Sequence, residues 1–235
     1  MAKKPPTTDP LARSQTRATW IATIAAVAAL ALSVIALYES REARIASRHD
    51  ELRIHAYRPA LPITVQDGKG PLHYAGVVAQ WQVMISNTGT STVSIVNYDV
   101  FELKLDGTEF LYSELDQGVS LPESNQALSL PIHLEAGRSI KLRFSIGLTP
   151  GPKAYQTLTA AFEDKPTSVP LREVEETLAK NGIDIYVNPA LLFHGMVSIW
   201  CGERQCNEQV FVFRFVTARG VLASETTSWY DQHQF

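Results

Sequence analysis

The sequence predicts a mainly β protein, an antiparallel sandwich that follows one membrane-spanning helix. Residues 20–37 contain no charged side chain in 18 positions. As a helix rising about 1.5 Å per residue, this stretch is roughly 27 Å long, close to the hydrocarbon thickness of a bilayer. After Pro59, short segments alternate apolar and polar residues and are separated by Gly, Pro and Asn turns, as in antiparallel sandwiches.

These two patterns divide the chain into four parts. Residues 1–18 are polar and proline-containing, which predicts a disordered cytoplasmic tail. Residues 19–38 form the predicted transmembrane helix and residues 39–58 a helical stalk. Residues 59–235 form the extracytoplasmic β-sandwich domain, which is long enough for one well-buried core.

The predicted transmembrane helix anchors the chain in the lipid bilayer, with Trp20 and Tyr38 at the two interfaces. An uncleaved signal anchor is favoured over a signal peptide cleaved near residues 29–31, because the apolar run is long and no clear small-residue site follows it. Lys and Arg flank the helix equally, four on each side, and the free amine adds to the N-terminal side. The β-rich domain with its close cysteine pair points the same way, so we expect a bacterial inner-membrane protein with a cytoplasmic N-terminus and a periplasmic or extracellular domain.

Small residues recur along one face of this helix. Ala25, Ala29 and Ser33 are spaced by four, which allows close helix packing and a homodimer. The alternative is that any alanine-rich helix shows this spacing by chance.

The stalk prediction rests on composition, since residues 39–57 lack Gly and Pro and are rich in Glu, Arg and Ala. Ile45, His49, Leu52 and Ala56 form one narrow stripe at coiled-coil spacing. Two heptads are few for a coiled coil, so a solvated stalk ending at Pro59 is favoured.

The N-terminal part of the chain and the predicted domain carry net charges of opposite sign. Residues 1–58 carry nine Lys/Arg and five Asp/Glu, a balance of +4, whereas residues 59–235 carry twelve and nineteen, a balance of −7. An acidic domain repels phosphate backbones, so the sequence argues against a nucleic-acid partner. The basic N-terminal part suits a membrane surface.

Alternation in the domain predicts which side chains form its core. In two segments the inward positions are Trp81, Val83, Ile85, Leu142 and Phe144, and the sixth predicted core residue, Phe213, ends a run that is apolar on both faces, as in a central strand. Arg143 falls on the outward phase. Phe101, Leu103 and Leu105 alternate with Glu102 and Lys104 up to the hairpin turn at 106–107.

One helix is expected to interrupt this β pattern, over residues 170–181. Ser168 can cap it, Pro170 suits its first turn, and Asn181 and Gly182 end it. Strands are predicted on both sides of this helix, at 155–162, 183–187, 196–200, 209–216 and 221–227.

The segment 77–147 resembles the immunoglobulin-like domains that are tethered to bacterial membranes. The resemblance rests on a strand containing Trp81, the turn at residues 87–89, and the turn at residues 134–139 that leads into Ile140. It implies an immunoglobulin-like sandwich with one inserted helix and carries no catalytic residue to this chain.

The only cysteines, Cys201 and Cys206, lie between two predicted strands. Two thiols do not supply the four ligands of structural zinc, and their spacing is not that of a redox pair. Residues at the mouth of a hairpin reach the separation that a disulfide needs, so a structural disulfide is favoured if the domain lies outside the cytoplasm.

Motifs for known chemistry are absent from the sequence, so no catalytic, cofactor-binding or metal-binding residue is predicted. His133 is expected to be exposed, whereas His194 reads as a buried residue and less readily as a ligand. The acidic residues between Asp99 and Asp116 read as the solvent face of a hairpin and less readily as a calcium site.

Two classes of function follow. The first is a membrane-anchored binding or assembly module without catalytic activity, which binds a protein partner. The alternative is a membrane-tethered hydrolase-type enzyme whose His, Asp and Glu residues converge only in three dimensions. A deep pocket with clustered ionisable groups would favour the enzyme, and an exposed apolar patch the binding module.

Overall fold

The structure, a computed structural model, describes residues 26–41, 51–70, 72–123, 126–162, 168–201 and 206–231. The chain divides into two compact units, Met1–His49 and Asp50–Phe235. The second unit is mainly β, with antiparallel sheets and few helices.

In the first unit, the described residues 26–41 are helical (α1), and their large apolar side chains are all more than half exposed. No helix among the described residues is both long and apolar enough to cross a membrane. The Ser33 hydroxyl donates to the Ala29 carbonyl at 2.8 Å. The predicted tail, Trp20, Ala25 and residues 42–50 of the predicted stalk lie outside the described residues.

The described residues of the second unit form twelve strands and two helices. In chain order they are β1 (Leu52–Tyr57), β2 (Thr64–Val65), β3 (Val77–Asn87), β4 (Val93–Leu103), β5 (Glu109–Phe110), β6 (Asp116–Ser120), β7 (Ile132–Leu134), β8 (Ser139–Leu148), α2 (Pro152–Phe162), α3 (Leu171–Lys180), β9 (Ala190–Phe193), β10 (Met196–Ile199), β11 (Val210–Thr217) and β12 (Leu222–Ser228).

Two five-stranded sheets make the sandwich. The first has the order β1-β3-β8-β6 with β2 beside β3, and the second has the order β12-β11-β4-β5 with β7 beside β4. Their inner faces meet through aromatic side chains. The Trp81 ring lies 5.1 Å from that of Phe211, and the Phe144 ring lies 5.0 Å from that of Phe213. Edge-to-face pairs of this kind add to the burial energy of a core.

The predicted core is confirmed, because all six of its residues are fully buried. Their alternation along β3 and β8 is regular, and the two strands pair in one continuous register from Val77 with Leu148 to Ser86 with Ser139. Arg143 lies on the opposite face, as its outward phase predicts. It is half-buried there, and its guanidinium donates to the Pro122 carbonyl at 2.9 Å.

Strand β4 departs from its predicted phase. Its pairing with β11 shifts between Asn97 and Ile95, so the intervening residue forms a bulge that moves the next side chains to the other face. Glu102 therefore lies opposite the inward-facing Phe211 and is 5% exposed, contrary to the predicted solvent face. Its carboxylate is paired with the Lys104 ammonium.

Three further predictions of secondary structure are wrong. Residues 52–57, predicted as the end of the helical stalk, form β1 and pair with β3. Residues 155–162, predicted as a strand, belong to helix α2, so the described part of the domain contains two helices where one was predicted. Residues 183–187, also predicted as a strand, form a turn around Asp184.

Candidate functional site

The connection from β8 to β11, residues 149–209, contains helices and strands that lie outside the two sheets of the sandwich. It contains α2, α3 and a hairpin formed by β9 and β10, which among the described strands pair with each other and with no third strand. Helix α3 buries Leu171, Val174 and Leu178, and it packs against β9 and β10. Its first turn begins at Pro170, whose carbonyl accepts from the amides of residues 173 and 174, so the predicted cap by Ser168 is wrong.

A buried carboxylate shapes the turn after α3. Asp184 is 5% exposed and accepts hydrogen bonds from the backbone amides of Tyr186 at 2.9 Å and Asn188 at 2.7 Å. It also accepts from the Asn188 side-chain amide at 3.0 Å and from the Tyr230 hydroxyl. The Asn188 side chain bonds in both directions to the backbone of Asn207. Asp184 therefore holds the turn against the end of the chain.

Burial and the Asp184 carboxylate both raise the pKa of the neighbouring Tyr230 phenol. Burial raises the pKa of Tyr230 well above its usual value, and the hydrogen bond to Asp184 raises it further. Burial likewise raises the pKa of Tyr186. Both phenols stay protonated through the physiological range, and Tyr230 acts as a hydrogen-bond donor to the carboxylate.

The guanidinium of Arg58 is buried near the same end of the domain, against Trp229. Arg58, directly after β1, is 2% exposed and donates from Nε to the Trp229 carbonyl at 2.7 Å. Its Cζ lies 3.9 Å from the centre of the Trp229 ring, and its Nη2 lies 3.6 Å from a carboxylate oxygen of Glu175. Burial lowers the pKa of Arg58, and Glu175 opposes that change. The pairing compensates part of the cost of removing a guanidinium from water.

A pocket of about 160 Å³ lies between α3, the Asp184 turn, β10 and the residues after β12. Its walls are mainly aliphatic and aromatic, and they comprise Val174, Glu175, Leu178, Asp184, Ile185, Val197, Ile199, Trp229 and Tyr230. A dry cavity of about this size accommodates a benzene-sized molecule, whereas sites for drug-sized molecules are roughly 300–1,000 Å³. The pocket therefore fits one apolar side chain.

The pocket offers little to a hydrolytic mechanism. Within the described residues, its lining contains no histidine, cysteine, serine or lysine. The carboxylate of Asp184 is occupied by four hydrogen bonds, and that of Glu175 faces Arg58. A general base needs a free lone pair directed at the substrate, so these groups stabilise the fold and do not favour the enzyme alternative.

The β9–β10 hairpin presents apolar side chains to solvent. His194 and Gly195 form its two-residue turn, both with positive φ, at 48° and 76°. A turn with two left-handed residues matches the twist of the strands that it joins. The outward positions include four large side chains that are each 65–72% exposed, namely Leu191, Phe193, Met196 and Trp200. We call these four residues the apolar face.

The sequence-predicted site residues fall at different places. Cys201 and Cys206 form the predicted disulfide, with Cα atoms 5.2 Å apart. The strands on either side of it, β10 and β11, do not pair with each other, so the expected hairpin geometry is wrong. His194 is exposed at the hairpin turn and not buried, whereas His133 is exposed as predicted. Among the described residues, no group of three His, Cys, Asp or Glu side chains forms a metal site.

Sequence reasoning missed β9 and with it the apolar face. The signal was present, because an apolar run on each side of His194-Gly195 is the pattern of a hairpin. The pocket gave no such signal, since its walls come from separate segments spread over residues 174–230.

Comparison with known proteins assigns no family: no protein-family model and no curated protein sequence matches the chain.

Proposed function

We propose that the chain is a single-pass, membrane-anchored binding module whose extracytoplasmic, immunoglobulin-like sandwich binds a protein partner. The strand order supports the immunoglobulin-like assignment. The sheets β1-β3-β8-β6 and β12-β11-β4-β5 follow the order A-B-E-D and G-F-C-C′ of that fold when the short strands β2 and β7 are set aside. On this assignment α2, α3 and the hairpin are an insertion between strands E and F, where loops carry function on a rigid scaffold.

The anchor is supported by helix α1. Its apolar side chains point in every direction, and those of Leu30, Ile35 and Leu37 are 70%, 53% and 74% exposed. A helix that is apolar on all sides is stable only when it is covered, by protein or by lipid. A cytoplasmic N-terminus at a bacterial inner membrane is part of the same proposal, supported by the free N-terminal amine beside an otherwise equal flanking charge and by the disulfide of the domain. Reporter fusions after residue 235 test this topology, and an active cytoplasmic reporter with a silent periplasmic one would overturn it.

The observation that carries the binding function is the apolar face. Exposed contiguous apolar surface on a soluble domain is typical of interaction sites, and aromatic residues and methionine are enriched at interface centres. Within it, the Trp200 side chain is 72% exposed, so most of its apolar surface is open to a partner. A protein partner would cover this surface and place its own apolar side chains against it.

Photo-crosslinking in intact membranes tests this proposal. A photoreactive amino acid replaces Phe193 or Trp200 in the full-length chain, and the matched control replaces Leu105, which is 90% exposed on another hairpin. We expect a discrete protein adduct from positions 193 and 200 that is absent from position 105. The adduct should disappear when Met196→Asp is added, while the melting temperature stays unchanged.

Three outcomes would overturn the proposal. They are equal crosslinking from all three positions, adducts to lipid alone, and an adduct that survives Met196→Asp. An adduct of twice the mass of the chain would show that the apolar face serves self-association and not a separate partner.

A further inference from the structure

Strand β10 has an open edge beside the pocket. Met196 pairs with Phe193 at the turn, and the Trp200 amide donates to the Pro189 carbonyl at 2.9 Å. Bonded and non-bonded pairs alternate in an antiparallel ladder, so Val197 and Ile199 direct their N–H and C=O groups away from β9. No other described residue forms a backbone hydrogen bond with these groups.

This edge lacks the protection found at other edges of the domain. Natural edge strands carry charges, proline or irregular pairing that prevent the addition of another strand. Strand β1 contains Arg53, β12 contains Glu225, and the pairing of β6 shifts between Asp116 and Val119. The sequence of β10, Met196–Ile199, contains no charge and no proline.

The open edge and the pocket share two residues. The side chains of Val197 and Ile199 line the pocket, while their backbone groups face outward along the edge. A strand added to β10 would place every second side chain on the same face as these two residues. One of its side chains would then meet the pocket walls formed by α3 and Trp229.

We propose that the partner binds by strand addition: an extended segment pairs with the edge of β10 and inserts one apolar side chain into the pocket. This inference rests on the proposed function, since it specifies how the protein partner binds. Backbone hydrogen bonds would supply affinity and the pocket specificity, as in other β-augmentation complexes. The volume of about 160 Å³ fits a side chain the size of leucine or phenylalanine.

Charge and hydrogen bonding favour this occupant over others. Acyl chains of lipid offer no donors or acceptors to Val197 and Ile199. A second copy of the chain would bring another domain of charge −7 to the same place, which like-charge repulsion opposes. The same charge favours a segment that is basic on either side of its apolar residue.

The test uses the full-length chain in nanodiscs and a displayed library of random twelve-residue peptides as the probe. We expect enriched peptides to alternate apolar and polar residues, to carry Lys or Arg, and to lack proline at the centre. In hydrogen exchange, a bound peptide should slow the amides of Val197 and Ile199 at least tenfold. The Ser198 amide, already bonded within the hairpin, should change little.

Two variants separate the edge from the pocket. Val197→Pro removes one edge donor without breaking a bond to β9, and Ile199→Trp fills the pocket. Each should weaken peptide binding at least tenfold, whereas the control Ser198→Ala, exposed on the same strand, should leave it within twofold. The exchange pattern of the unmodified chain tests the same point if Val197→Pro fails to fold.

Failure of this inference is distinguishable from failure of the proposed function. An absence of enriched peptides, or uniform protection across residues 196–199, would overturn strand addition. If the crosslinked adduct at positions 193 and 200 persists in Val197→Pro, a protein still binds the apolar face but does not add a strand. If that adduct is absent from the unmodified chain as well, the binding function itself is wrong.

Discussion

Replacing Asp184 should destabilise the domain more than any other exchange of a single carboxylate. This side chain accepts four hydrogen bonds from three residues, and two of the donors are backbone amides in a buried turn. Asp184→Ala removes all four. The amides of Tyr186 and Asn188 then lose their acceptor in a place that water does not reach freely.

The expected magnitude follows from those donors. Each buried donor left without a partner costs about 1–3 kcal/mol, so two backbone amides give about 4 kcal/mol. The Asn188 side chain keeps a bond to the Asn207 carbonyl, which limits further loss. At about 2–4 °C per kcal/mol for a domain of this size, the melting temperature should fall by about 8–16 °C. Asp184→Asn keeps one acceptor oxygen and should cost about 1–2 kcal/mol.

Thermal and chemical unfolding of the three proteins, followed by tryptophan fluorescence, measures these differences. The matched control is Glu176→Ala, which removes a carboxylate paired with Arg172 on the surface of α3 and should cost no more than about 0.5 kcal/mol. If Asp184→Ala melts within about 2 °C of the unmodified protein, the carboxylate does not hold the turn. The pocket wall that depends on this turn would then need another explanation.

Three further predictions concern the core, the disulfide and alkaline pH. Phe144→Ala should cost about 3–5 kcal/mol in urea unfolding because its ring is fully buried, whereas exposed Lys141→Ala should change little; the reverse result would contradict the strand phase. Changing Cys201 and Cys206 to Ser should lower stability by about 2 kcal/mol and leave the circular dichroism spectrum unchanged, since the closed loop is short; free thiols in oxidised protein would contradict the bond. Burial raises the pKa of Tyr112 to about 12 in the folded protein. The contribution of Tyr112 to the free energy of unfolding should therefore be fully present below pH of about 10 and be lost as the pH rises toward 12, as urea unfolding would show beside tyrosinate absorbance; no change in stability across that range would contradict it.

The sequence alone was sufficient to predict the core side chains of the central strands of the sandwich. Strand β3 alternates throughout and β8 alternates from Leu142 to Ile146, because one face of each strand is buried and the other is partly exposed, and Trp81 and Phe144 lie where that period places them. Strand β11 was recognised for a related reason, since Phe211, Val212 and Phe213 are buried on both faces. Local pattern and tertiary environment agree at these positions.

Elsewhere the deciding interactions are not local. The bulge near Asn97 reverses the phase of β4, and no residue type marks it, so Glu102 looked exposed from sequence. The alternation at 183–187 resembled a strand, but the Asp184 side chain bonds the backbone into a turn. Strand β1 has a composition suited to a helix, and only its pairing with β3 makes it extended.

The candidate site was the least predictable part. Its pocket is assembled from α3, β10 and the residues after β12, and no pattern within any one of them indicates a cavity. The disulfide was predictable because only two cysteines exist, whereas the partners of their flanking strands were not.

The position of Arg58 has a mechanical consequence. It directly follows β1, the first strand of the domain, and is joined both to the Trp229 carbonyl and to Glu175, two walls of the pocket. Its backbone amide also donates to the Asp231 carbonyl at 3.2 Å. Tension applied to the chain ahead of β1 is therefore shared between the ladder with β3 and the pocket wall. A partner segment bound in the pocket, as proposed above, would stiffen that wall, so that force on the chain ahead of β1 and occupancy of the pocket would each change the other's free energy.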